Sequence, residues 1–107
     1  MPALADPVFK ALADPTRRAI FERLARDGEQ TVHALTSSAG ISQPAVSKHL
    51  TILKRAKLVG HRHEGRETHY SACPQALAPL ADWMEQYGSF WRDRFDQLEN
   101  LLKRMDK

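Results

Sequence analysis

Val46, Leu50 and Leu53 recur at i, i+4 and i+7, the stripe of a helix that buries one face. At about 100° per residue, the opposite side collects Pro44, Lys48, Thr51 and Arg55. Ser47 lies beside them and Gln43 stands at the exposed start. Ser42 is a good N-cap, and Pro44 falls in the first turn, where its missing N–H costs little. Residues 31–39 form a shorter helical pattern upstream, and Gly40-Ile41 separates the two. A glycine suits that break because it tolerates positive φ. Two helices joined this way read as a helix-turn-helix, the second carrying short polar side chains and then cations.

The flanks complete the pattern. Asp6-Pro7 predicts an N-cap and first helical residue, opening a helix with Val8, Phe9, Leu12 and Ala13 on its apolar side. Asp14-Pro15 repeats the signal for a helix over 16–26, with Ile20, Phe21 and Leu24 inward and Asp27-Gly28 as its stop. Residues 58–72 change character. Two short strand-like runs surround Glu64-Gly65-Arg66-Glu67, predicting a β-hairpin with its turn at Gly65. Arg62, His63 and Arg66 are expected near its tip. Two more helices are predicted over 75–87 and 89–105, broken near Gly88. Phe90, Trp91, Phe95, Leu98, Leu101, Leu102 and Met105 make the last one an apolar band too wide for a solitary surface helix. Such a band calls for a second subunit, with Val8, Phe9 and Leu12 of the first helix pairing across a two-fold axis.

With 107 residues, 42% hydrophobic and 27% charged, the chain is one domain of ordinary globular composition. Its net charge is only +3, but the distribution is uneven. Between Ser42 and Ala72, six Lys or Arg face two acids, a local +4, whereas the remainder holds ten basic and eleven acidic groups, a local −1. The excess falls on the helix-turn-helix and hairpin, the footprint of a polyanionic partner. No signal peptide or membrane span is read, and a single cysteine, Cys73, excludes an internal disulfide framework. These features fit a cytoplasmic protein.

Taken together, the motifs resemble the ArsR-type winged-helix repressors. The likeness is carried by Leu12-Ala13-Asp14-Pro15-Thr16-Arg17-Arg18, by Ile41-Ser42-Gln43-Pro44-Ala45-Val46-Ser47-Lys48-His49-Leu50 with Leu53, by Ala56-Lys57-Leu58-Val59, and by Glu64-Gly65-Arg66 with Tyr70. The resemblance implies an α+β, mostly α fold: a winged helix-turn-helix with N- and C-terminal dimerisation helices. It further implies a homodimer that binds an inverted-repeat operator on double-stranded DNA and blocks transcription. Base-reading roles are implied for Gln43, Pro44, Ser47 and Lys48, and helical geometry adds Thr51. Gln can pair bidentately with adenine, and Pro44 offers an apolar surface to a thymine methyl. Thr31, Ser42, His49, Lys54 and Arg55 are expected to contact phosphate or position the helix. Arg62, His63 and Arg66 are expected to approach the backbone or minor groove.

One departure from the family pattern bears on sensing. Many members bind metals through cysteines in the helix before the turn, but here that region reads Glu29-Gln30-Thr31-Val32-His33-Ala34-Leu35. Others use Asp and His on the last helix, which here has acids and no histidine. No cofactor and no metal site is therefore expected. His61 and His63 lack a clear third ligand, because a turn at Gly65-Arg66 sets His63 opposite Thr68 and His69 opposite Arg62, on the other side of the sheet. Cys73 has no resolving partner. Trp83, Tyr87, Phe90, Trp91 and Phe95 could line an effector pocket, although burial is the commoner use of aromatics at helical spacing. No phosphate-binding loop, serine elbow or paired-carboxylate cleft is present, so the chain reads as a regulator rather than an enzyme. The rival readings are a metal- or redox-responsive sensor with an unrecognised site, and a winged helix that binds protein instead of DNA.

Overall fold

The computed structural model describes residues 2–106. Its elements are α1 (Pro2–Ala13), α2 (Pro15–Asp27), β1 (Gln30–Thr31), α3 (Val32–Ala39), α4 (Gln43–Arg55), β2 (Val59–Glu64), β3 (Glu67–Ala72), a 3-10 turn (Pro74–Leu77) and α5 (Ala78–Met105). The fold is a winged helix-turn-helix, mostly helical, with a small antiparallel sheet in the order β1-β3-β2.

Local chemistry explains most boundaries. The Asp14 carboxylate accepts the Arg17 amide proton at 3.0 Å, capping α2, and Gly28 ends that helix at φ +85°. Gly40 takes φ +71° at the end of α3, where a Cβ would be strained. Ser42 Oγ accepts from the Ala45 amide at 3.3 Å, the expected cap of α4. The end of α4 is less ordinary. Lys57 N–H donates to Lys54 C=O at 2.9 Å and Leu58 N–H to Leu53 C=O at 3.0 Å. These are the two bonds of a Schellman motif, and Lys57 occupies its left-handed position at φ +65°, where glycine is usual. Leu53 and Leu58, the apolar pair that accompanies such an ending, are fully buried.

The core follows the predicted stripes. Val46, Leu50 and Leu53 of α4 meet Ile20, Phe21 and Leu24 of α2, Leu35 of α3 and Val8 and Ala11 of α1. Each large aliphatic side chain removed from water here contributes about 1.5–3 kcal/mol before its entropy cost.

Four expectations need correction. Pro7 does not open α1 but sits inside it. Ala5 is buried beside Val8 and Ala11, so the turn ahead of the proline is held by packing despite one lost backbone bond. Gly88 does not break the C-terminal region, where α5 is one helix of 28 residues. A helical glycine costs only about 1 kcal/mol relative to alanine, which the long flanking segments absorb. The pair Gln30-Thr31 forms a third strand, opposite Tyr70 and His69. Finally, Val8 is buried in its own core and so is not free as an interface residue, while Leu12 is partly buried against that core.

Only the start of α5 packs on the domain. Leu80 is partly buried and Trp83 meets Phe9 edge-to-face, with ring centroids 5.1 Å apart. Beyond it the helix projects, giving overall extents of 66 × 32 × 21 Å. The radius of gyration is 18.7 Å, against about 13 Å for a compact chain of this length. Among the described residues, no helix is long and apolar enough to cross a membrane.

Candidate nucleic-acid interface

With its apolar stripe locked in the core, α4 exposes Gln43, Pro44, Ser47, Lys48, Thr51, Lys54 and Arg55. This is the polar face read from the sequence, brought together on a rigid scaffold. Thr51 Oγ1 donates to the Ser47 carbonyl at 3.0 Å, which fixes its rotamer and leaves oxygen lone pairs outward. Thr31 is half-buried, and its hydroxyl accepts from the Ala34 amide at 3.0 Å. Its side chain thereby caps α3, while its backbone pairs with β3.

The hairpin has the register expected of it. His63 lies opposite Thr68, Arg62 opposite His69, and Glu64 opposite Glu67, leaving Gly65-Arg66 as a two-residue turn. Gly65 carries the positive φ, the glycine-first turn that matches the twist of paired strands. Arg66 stands exposed at the tip. A cleft of about 180 Å³ lies between this tip and the two helices, lined by Thr31, His33, Gln43, Arg66 and Thr68 among others. The structure thus gathers the start of α4, the start of α3 and the wing tip around one space.

Arg62 is placed otherwise than expected, while His63 stays exposed beside the turn and His49 is drawn partly into the flank of α4. Arg62 is not at the tip. Its guanidinium donates to Glu29 at 2.7 and 3.0 Å and to Glu64 at 3.1 Å, on the face of the sheet opposite His61 and His63. The hydrogen bond from Arg62 is the main reason the Glu29 carboxyl titrates below the ordinary range, and the two carboxylates raise Arg62. His63 is exposed but shares a hydrogen bond of 3.1 Å with Thr68 Oγ1. His49 is half-buried on the flank of α4, and its Nδ1 is buried without a partner. The reason is angular: His49 shares its side of α4 with half-buried Ala45, Ile52 and Ala56, not with Lys48. The Asp14 carboxyl is held low chiefly by the Arg17 amide and in smaller part by the charges of Arg17 and His49.

Sequence reasoning passed over the Lys54–His61 approach of 3.4 Å, which ties the end of the reading helix to the wing. His61 also meets His63 edge-to-face and Tyr70 at a tilt, with centroids 5.3 and 5.7 Å apart. Among the described residues, no group of three or more His, Cys, Asp or Glu is arranged to hold a metal ion.

Comparison with known proteins gives the family and the fold class. A family model for a helix-turn-helix domain matches residues 12–62. A helix-turn-helix-type transcriptional regulator of Mycobacterium tuberculosis is 44% identical over 82 residues, 77% of this chain and 76% of that protein. The transcriptional repressor SdpR of Bacillus subtilis is 38% identical over 77 residues, 72% of this chain and 84% of SdpR. The solved structure of an ArsR-like transcriptional regulator from Rhodococcus sp. RHA1 superposes with a TM-score of 0.72 at 32% identity, covering 92% of each chain. The fold and interface define a DNA-binding transcriptional regulator. The chain belongs to the ArsR/SmtB-type family of transcriptional repressors.

Proposed function

We propose that this protein is a cytoplasmic homodimeric repressor that binds an inverted-repeat operator, and that it does so without the metal ligands used by many relatives. The observation that carries the reading is the continuity of one exposed surface, from the polar face of α4 across the cleft to Arg66. Gln43, Pro44, Ser47, Lys48 and Thr51 read base edges in the major groove. Lys54, Arg55 and Arg66 neutralise phosphates, and Thr31 and Ser42 act through the helix starts they cap.

Support for dimerisation comes from α5. Met84, Tyr87, Trp91, Phe95, Leu98, Leu102 and Met105 follow one another at steps of three or four residues, and each is about half exposed or more. A continuous apolar seam of six turns in water is the pattern of a helix that packs against another. The Phe9–Trp83 contact extends this surface onto α1. Residues 29–35, which run from the link after α2 through β1 into α3, include no cysteine, which supports a regulator released by something other than thiolate-bound metal.

Selection of bound duplexes from a random DNA pool, followed by footprinting, tests the reading. The expected product is a dyad-symmetric site with half-sites about 34–36 Å apart, protected by two subunits. An asymmetric single half-site, or binding indifferent to sequence and salt, would refute it.

A further inference from the structure

Where α4 ends, the chain leaves an open cavity of about 340 Å³ between the helix-turn-helix and the elements that carry α5. Its apolar walls are Pro7 from α1, Ala56 after α4, Ala76 from the 3-10 turn and Pro79 from α5. Its rim carries two cations, Arg55 and Lys57. Among the described residues neither cation forms an ion pair. The contrast with the other sizeable cavity is informative. That one, about 400 Å³ between α2 and α3, also holds two arginines, Arg23 and Arg26, but Asp27 pairs with both. Only the first has uncompensated positive charge over an apolar floor.

A second observation falls at the same place. Lys57 takes the left-handed position of the Schellman ending of α4, and this turn of the chain sets a long cation on the cavity rim. Its position matters too, because the walls join the last turn of the reading helix to the first turn of the protruding one. Volumes of 300–1,000 Å³ with apolar walls and a few polar groups suit small ligands.

We infer that this cavity binds a small aromatic carboxylate, its ring between Pro7 and Pro79 and its carboxylate on Lys57 and Arg55. The proline faces and alanine floor accept a flat apolar ring. Two cations of which one is a guanidinium match a carboxylate. Occupancy draws Arg55 away from the DNA-facing surface, so the ligand and DNA oppose each other, each weakening the other by the same factor. This last step rests on the DNA-binding reading; the binding of the acid does not.

Titration of the full-length protein with 2-naphthoate, followed by calorimetry and by amide NMR without DNA, tests the site. The expected result is saturable binding of one molecule per subunit, with shifts at Ala56, Lys57 and Ala76. Lys57→Gln should weaken it about tenfold, the loss of one charge-assisted contact. Ala76→Leu, which fills the floor, should abolish it while leaving the thermal midpoint within the range of a folded protein. The neutral analogue 2-naphthylmethanol should fail to bind. Unsaturable heats, equal binding of the alcohol, or shifts confined to Ala19, Ile20 and Ser38 would each overturn the site. If the acid binds as described but leaves DNA affinity and its salt slope unchanged, the opposition between ligand and DNA is wrong and the site stands.

Discussion

Arg62 and Glu29, 33 residues apart, are joined by two hydrogen bonds of 2.7 and 3.0 Å. The pair pins the wing to the link between α2 and β1, and it changes what each arginine of the hairpin is expected to do. On the proposed DNA-binding reading Arg66, exposed at the tip and in no ion pair among the described residues, is expected to neutralise a phosphate, whereas Arg62 holds the strand that presents it.

Binding measured against salt separates these roles. Arg66→Ala should lower the slope of log affinity against log salt by about 0.9, the share of one phosphate contact. Lys48→Ala should also weaken binding, with the larger loss at the preferred site than at random duplex. Arg62→Ala should leave the slope unchanged and speed amide exchange in β1 and β3. A fall in slope for Arg62→Ala equal to that for Arg66→Ala would show that the ion pair opens on DNA.

Acid should loosen the same link. The carboxyl of Glu29 titrates below its ordinary value of 4.5 because Arg62 bonds the charged form. A depressed folded value stabilises the protein above the unfolded value, and that contribution fades as pH falls through the folded one. Thermal midpoints between pH 7 and pH 3 should therefore fall further for wild type than for Glu29→Gln. The difference should be small, since the pair is exposed and screened. Parallel curves would remove Glu29 from the acid transition.

Glycine at position 57 should stabilise the fold. Lys57 adopts φ +65°, a conformation that costs an L-residue roughly 1–2 kcal/mol and glycine little, although glycine is the more flexible when unfolded. Lys57→Gly should gain up to about 1 kcal/mol in urea unfolding, and Lys57→Ala should gain nothing. A gain shared by both variants would assign the effect to the charge.

The seam of α5 supports a clear test of assembly. Leu98 is 52% exposed in the single chain and far from its core. Leu98→Glu should move the protein from dimer to monomer in sedimentation while the near-ultraviolet spectrum of the folded domain persists. It should also reduce operator affinity, because two linked reading helices bind far more tightly than one. An unchanged dimer would place the interface elsewhere.

Local patterns made the helix-turn-helix legible. Ser42 acts on an amide three residues away and Gly40 through its own backbone angle, and the period-2 alternation around Gly65 fixes which side chains face each other. What escaped depends on distance or on competing energies. Strand β1 is two residues long, too short to show any alternation. The Glu29 and Arg62 charges meet only after two helices intervene. Gly88 and Pro7 carry breaking tendencies that a long helix and a buried Ala5 outweigh. His49, read as a phosphate-contacting or helix-positioning residue, is seen on the half-buried flank of α4 only once the packing of that helix is known.

Thr31 spends its backbone on the sheet and its hydroxyl on the start of α3. One residue therefore joins the wing to α3, the helix that precedes α4. On the proposed DNA-binding reading this link opposes independent motion of wing and helices, so more of any misfit in groove width falls on the duplex. Sites rich in easily kinked steps should then be favoured even where no side chain reaches a base.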